Sequence, residues 1–306
     1  MMPSALLRRP LVAFSVAAFF AIAAVRSAPS LEHVAAGWAG SAGIALAAAP
    51  IPGGPSLAGI MFIAAVLFCA GVVSGLAGFA FSAVAACVLW LMPPLQAMPL
   101  IMLLSTCNQL LSIGKLRREM TLLGTAEREG ALPYIIGGLV GVPFGVALLR
   151  GLPVSWFAAG LGLFLIVYST FTLVLPGRVR LTLSGWHVAG MVGAMGGVIG
   201  GFSGFGASII VVYLGLREAD KSAVRGITQP YIVAMQLLSL GVLAAVDPAV
   251  FGLLFWLLWA VTLPAVLLGT STGVALYRRL SDHNFRRAVL LLLIASGASL
   301  VAKALM

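Results

Sequence analysis

Two glycine-rich runs interrupt the longest apolar stretches of this chain, Gly75-Leu76-Ala77-Gly78-Phe79 and Gly200-Gly201-Phe202-Ser203-Gly204-Phe205-Gly206. Glycine is where a helix breaks most easily. A break inside hydrocarbon frees N–H and C=O groups that cost several kcal/mol each unless protein, water or a bound solute takes them. Where a second half-helix begins, at Phe79 to Ser82 and at Phe205 to Ser208, the first N–H groups are unpaired and the dipole end is positive, which suits an anion. Ser82 and Ser208 add hydroxyl donors. The competing reading is close helix packing, as Gly71 with Gly75 or Gly193 with Gly197 would allow. Packing alone does not require the same Gly-x-x-Gly-Phe pattern twice, so Gly75, Gly78, Phe79, Gly201, Gly204, Phe205 and Gly206 are candidate site residues.

The other candidates are neutral amides. Asn108, Gln109, Gln229 and Gln236 sit within or near apolar spans, where polar groups are costly and face the interior. Neutral donors can hold a small oxyanion without trapping it, although interhelical hydrogen bonding explains the same residues. Arg225 begins a span beside Thr228, at a place to attract anions to an inner mouth or to snorkel as a loop arginine. No Asp or Glu falls inside a predicted span, Asp247 lying at a loop with Pro248. A carboxylate proton relay therefore has no evident member. Efflux of a monoanion from a negative interior gains about 2.3 kcal/mol per 100 mV and needs no coupling ion.

Other chemistries fit the spacing less well. Gly269-Thr270-Ser271-Thr272-Gly273 matches a G-x-S-x-G nucleophile elbow, with Asp282 and His283 following, but it ends an apolar helix rather than a strand. Gly201 to Gly206 lacks the strand and the ribose-binding acid of a dinucleotide fingerprint. His33, His187 and His283 are too dispersed for a metal, and Cys69, Cys87 and Cys107 stand singly in apolar runs. The residues call for no cofactor and no metal.

The elements that position these residues follow from composition. Of 306 residues, 61% are hydrophobic and only 8% charged, against about 25% charged in a soluble domain, so the solvent is lipid. Eight apolar blocks follow the N-terminal part: residues 57–92, 94–114, 131–149, 155–175, 186–216, 225–246, 249–273 and 287–306. The first and fifth are too long for one straight span of about 20 residues, and both contain a glycine run. If each goes in and comes back, 13 Lys and Arg residues gather on one side, against Arg150 and Lys303 on the other. The positive-inside rule makes the 13-residue side cytoplasmic and the C-terminus external. The net charge of +10 is thus an orientation signal, and no nucleic-acid partner is expected. Arg8-Arg9 before the apolar run Leu11 to Val25 reads as a signal peptide or signal anchor, followed by an Ala/Gly/Pro linker. The expected divisions are 1–55, 56–176 and 177–306.

An offset of 126 lays residues 71–82 over 197–208 with six of twelve identical, and an offset of 127 lays Gln109-Leu110-Leu111-Ser112-Ile113-Gly114 over Gln236-Leu237-Leu238-Ser239-Leu240-Gly241 with five of six. With even passes the copies are inverted, the pattern of secondary transporters with midplane sites. These residues resemble the TauE/SafE family of sulfite and organosulfonate exporters, whose halves each open with a Ser/Gly-Gly-x-x-Gly-hydrophobic-Gly run. Here that run is Ser74 to Phe79 and Gly200 to Gly206, and Tyr213, Lys221 and Arg225 resemble its continuation. The chain departs from the family where Ala80-Phe81-Ser82 and Ala207-Ser208 replace the usual glycine and proline. The resemblance implies a passive or potential-driven carrier of small sulfur-containing anions. The expectation is an all-α polytopic inner-membrane protein of two inverted repeats, each a broken helix or helical hairpin followed by three spanning helices. It would export sulfite or organosulfonates by alternating access. An uptake carrier and a non-transporting assembly factor are the alternatives, and the oligomeric state is left open.

Overall fold

The computed structural model describes residues 56–77, 80–116, 130–174, 183–219, 221–277 and 282–305. The N-terminal segment 1–55, and Gly78 and Phe79 of the first glycine run, lie outside the described residues. Among the described residues there is no strand. The helices are α1 (Leu57–Ala77), α2 (Phe81–Ala85) continuing as a 3-10 helix (Ala86–Trp90), α3 (Pro94–Leu116), α4 (Leu132–Gly151) and α5 (Val154–Val174), then α6 (Trp186–Ser203), α7 (Ala207–Leu216), α8 (Lys221–Val246), a 3-10 turn (Pro248–Phe251), α9 (Leu253–Tyr277) and α10 (Asp282–Ala304). Both overlong apolar blocks are therefore broken helices, and three long helices follow each one.

Proline sets three of the turns. Leu152, held extended before Pro153 (φ −83°, ψ 136°), ends α4, and Asp247 before Pro248 (φ −150°, ψ 70°) ends α8. Pro93 and Pro94 separate the first 3-10 helix from α3. The long helices are apolar around most of their circumference. Five stretches, Leu57–Gly75, Leu132–Gly151, Val154–Val174, Ala223–Val246 and Leu253–Leu276, are long and apolar enough to cross a bilayer, and Phe81–Trp90, Ala207–Leu216 and Leu290–Ala304 are shorter apolar pieces. Large apolar side chains such as Met61, Val140, Phe144, Trp156, Met191 and Leu268 are exposed, as a lipid-facing surface requires. The chain is an all-α polytopic membrane protein.

Helix partners are chosen largely by glycine. α6 lies on α4 with Gly193, Gly197 and Gly201 against Tyr134, Gly138 and Val142, while Gly137, Gly141 and Gly145 meet Gly190, Ala194 and Val198. α1 lies on α9, with Gly71 and Gly75 against Val266 and Thr270, and Gly269 and Gly273 against Phe68 and Val72. At Gly71, Gly75, Gly137, Gly141, Gly145, Gly193, Gly197, Gly201, Gly269 and Gly273 an added Cβ would meet neighbouring backbone closer than real Cβ atoms come. The Gly269 to Gly273 run is thus a packing seam inside one continuous helix. Ser271 donates to the carbonyl of Leu267, one turn back, and the run has none of the strand–turn–helix geometry of an elbow. α5 pairs with α10 through Gly162 and Gly297, and α3 with α8. Matching α1–α5 with α6–α10 in order, exchange of the halves turns this set of four partnerships into itself.

Candidate functional site

The second break is built around one backbone conformation. α6 ends at Ser203, and Gly204 turns into the left-handed region (φ +68°, ψ 4°), where only glycine avoids a steric cost. Its N–H donates to the Gly200 carbonyl at 2.7 Å, closing the helix. The groups freed by the interruption are taken by side chains, as a hydrocarbon setting demands. The Phe205 N–H donates to Ser203 Oγ at 3.3 Å, and Ser208 Oγ donates to the Phe205 carbonyl at 2.8 Å. The Gly204 carbonyl accepts two bonds from farther away: Ser82 Oγ–H at 3.0 Å from α2, and Gln236 Nε2–H at 3.3 Å from α8. The Phe205 ring turns out of the break into α5, edge-on to Tyr168 with centroids 5.4 Å apart.

Gln236 is held on every side. Its Nε2 also donates to Ser105 Oγ at 3.0 Å, and Thr106 Oγ1 donates to its Oε1 at 3.0 Å, both from α3. The amide therefore ties α8 to α3 and to the break at once. Ser82, Ser105, Gln109, Gly204, Phe205, Ala207, Ile232 and Gln236 line a cavity of about 10 Å³, room for roughly one water molecule. Among the described residues no charged side chain lines it. Ser82, Ser105, Gln109 and Gln236 are each only 2–3% exposed.

The cavity sits at matching depth from both ends. α3 and α8 run antiparallel, since Leu95 and Gln96 near the start of α3 share a second cavity with Asp247 beyond the end of α8. Ser105 and Gln109 lie 11 and 15 residues past Pro94, and Ile232 and Gln236 lie 11 and 15 past Lys221. Both pairs are thus about 16–22 Å along their helices, counted from opposite ends. The second cavity is open, of about 420 Å³, and is lined by Gln96, Leu100, Asp247, Phe255 and Leu258 among others. At its rim Arg150 reaches Asp247 at 3.8 Å, joining the ends of α4 and α8.

Of the residues singled out by sequence, Ser82, Gln109, Gly204, Phe205 and Gln236 meet at the small cavity, and Ser208 adjoins it through Phe205. Asn108 is buried on another side of α3, where its Nδ2 donates to Ser74 Oγ at 2.9 Å. Gly75 faces α9, Gly201 faces α4, and Gly206 packs against Gly196 and Gly200. Gln229 is buried two turns below Gln236, and Arg225 lies eleven residues before Gln236, about 16 Å along α8. The first half-helix, α2, begins at Phe81 and has five residues before tightening to the 3-10 geometry of Ala86–Trp90. Ser105 and Thr106 were not singled out by sequence, although Ser105 stands one turn from Gln109 on the same face of α3.

Among the described residues, ten α-helices, with both overlong apolar blocks interrupted, enclose a buried cavity lined by serine and glutamine side chains, an arrangement of the kind secondary transporters use. Residues 63–300, most of the chain, match the Sulfite exporter TauE/SafE family, and the protein belongs to that family. No curated protein and no solved structure matches the chain.

Proposed function

We propose that the protein exports a small sulfur oxyanion, sulfite or an organosulfonate, across the bacterial inner membrane by alternating access, and that the cavity between the two helix breaks is its binding site. One observation carries this reading. Side chains from both halves, Ser82 and Gln109 from the first and Gln236 from the second, converge at equal depth on a helix interruption where no charge is present. Neutral donors compensate an oxyanion's charge without holding it as tightly as a fixed cation would. Family membership supplies the substrate class.

The charge distribution supports an orientation with the loops that carry the 13 basic residues in the cytoplasm and the C-terminus outside. The 420 Å³ cavity at the Arg150–Asp247 rim then faces outward, one and a half turns of α3 above Ser105, and serves as the release vestibule. In this arrangement the halves are inverted repeats, and the exchange-symmetric helix partnerships are what such a duplication leaves. With no carboxylate among the described residues that line the small cavity, the membrane potential drives export of a monoanion, at about 2.3 kcal/mol per 100 mV.

The test is flux in proteoliposomes with sulfite, thiosulfate, sulfate and taurine under an imposed potential. Saturable sulfite movement toward the positive side is the expected result. Movement only against the potential with a coupled cation would make the protein an uptake carrier, and no substrate-dependent flux would make it an assembly factor.

A further inference from the structure

We propose that the Gly204 carbonyl is a built-in stand-in for a substrate oxygen: Ser82 and Gln236 hold it in the empty cavity, an anion's oxygen replaces it on loading, and Thr106 is the positioning residue that points the Gln236 amide at it. This rests on the transport reading above.

The hydrogen-bond directions leave little freedom. A carbonyl oxygen can only accept, so the Gln236 group facing Gly204 is the Nε2 end. Its Oε1 must then face Thr106, whose single hydroxyl hydrogen is shared between Gln236 Oε1 at 3.0 Å and the Met102 carbonyl at 2.8 Å. The second Nε2 hydrogen goes to Ser105 Oγ, so Ser105 acts as an acceptor. Among the described residues Ser105's own hydroxyl hydrogen meets no acceptor, although the side chain is 2% exposed. The result is a cavity whose polar wall is made of the Ser82 and Ser105 hydroxyls and the glutamine amides, with the Gly204 oxygen accepting two of their bonds. Such a wall complements an ion that carries acceptors on all sides and no donor.

Size makes the exchange necessary. A volume of about 10 Å³ admits roughly one water, well short of an oxyanion. The carbonyl must leave before the ion can enter, and glycine is the residue that lets it. Gly204, at φ +68°, has no Cβ to oppose rotation of its flanking peptides. Any Cβ there would meet Ser82 Oγ at 3.1 Å and Met102 Cγ at 3.2 Å. The same two donors thus close the break when empty and bind the ion when loaded, so removing one should ease opening and weaken binding together.

The experiment follows methanethiosulfonate labelling of Ala207→Cys without substrate, in the full chain with Cys69, Cys87 and Cys107 replaced by alanine, alongside sulfite flux in proteoliposomes. Ser82→Ala is expected to speed labelling about two- to ten-fold and to raise the sulfite concentration for half-maximal flux by a similar factor, the range set by one hydrogen bond. Thr106→Val should move both readouts the same way, and Thr106→Ser should restore both. Labelling that stays unchanged or slows in Ser82→Ala and Thr106→Val, while sulfite flux responds, makes these side chains plain ligands and overturns the stand-in. Absence of sulfite flux in the unsubstituted protein overturns the transport reading instead, because labelling needs no substrate and still reports on the latch.

Discussion

The two helix breaks begin from related residues, six of twelve identical, and end with different roles. In the second half, Gly204 turns left-handed, α7 continues for ten residues, and the break presents a carbonyl to the cavity. In the first half, α2 runs five residues and tightens into the 3-10 helix Ala86–Trp90. That helix is tied to the end of α10, where the Trp90 indole N–H donates to Ser299 Oγ at 2.9 Å and the Lys303 ammonium donates to the Leu89 carbonyl. The paired serines show the contrast most clearly. Ser82 reaches across to the other half's Gly204, whereas Ser208, at the matching repeat position, donates to Phe205 in its own turn. Duplicated sequence therefore makes two interruptions, and the neighbours decide which one offers donors and which the acceptor.

The largest expected effect separates the two uses of glycine. Gly204→Leu forces a side chain onto a left-handed residue, at about 1–2 kcal/mol, and into Ser82 and Met102, at about 1–3 kcal/mol more. Sulfite flux should fall roughly a hundred-fold or more while membrane insertion persists. Gly197→Leu, which drives a side chain into Gly138 on α4, should instead remove the folded protein, seen as loss of a monodisperse species in detergent. Equal behaviour of the two variants would erase the distinction.

Next come the paired glutamines. Gln236 contacts Ser105, Thr106 and Gly204, so Gln236→Leu should weaken sulfite transport about ten- to hundred-fold, at roughly 1.5–3 kcal/mol for donors to a charged group. Gln109→Leu should cost several-fold less if the second half's glutamine is the organiser. A smaller difference is expected between the serines: Ser82→Ala raises the half-saturating sulfite concentration by about two- to ten-fold, and Ser208→Ala leaves it within about two-fold, read from the same flux assay. Arg150→Ala should also change little. The Arg150 side chain is 42% exposed, its pair with Asp247 spans 3.8 Å, and such surface pairs contribute about 0–1 kcal/mol, so flux should stay within about five-fold.

Much of this fold was legible before any coordinates. Lipid as solvent followed from charge scarcity, and the breaks followed from glycine runs inside stretches too long to cross once. Gln109 and Gln236 stood out because an amide in an apolar helix needs a partner. Ser105 and Thr106 did not, because a hydroxyl in a helix can bond its own preceding turn, as Thr106 also does to the Met102 carbonyl at 2.8 Å, and nothing local marks one that also reaches across. The glycines were ambiguous for a related reason. Gly201 and Gly204 belong to one run, yet Gly201 meets Val142 across a helix seam while Gly204 alone takes positive φ. Composition records that a small residue is present, and only the register between helices says what approaches it. Arg225 is similar: its place at the head of α8 is readable from the chain, and the helix sets it about 16 Å from Gln236, outside the lining of the small cavity.

The central claim is that one anion site is shared between the halves, and a double-mutant cycle on Ser82 and Gln236 tests it most directly. Half-saturating sulfite concentrations would be measured in proteoliposomes for the unsubstituted protein, Ser82→Ala, Gln236→Leu and the pair. Two side chains acting on one ion and one carbonyl should couple by at least about 0.5 kcal/mol, the double variant losing less than the sum of the singles. Strictly additive losses would place the two residues at separate sites and contradict the account.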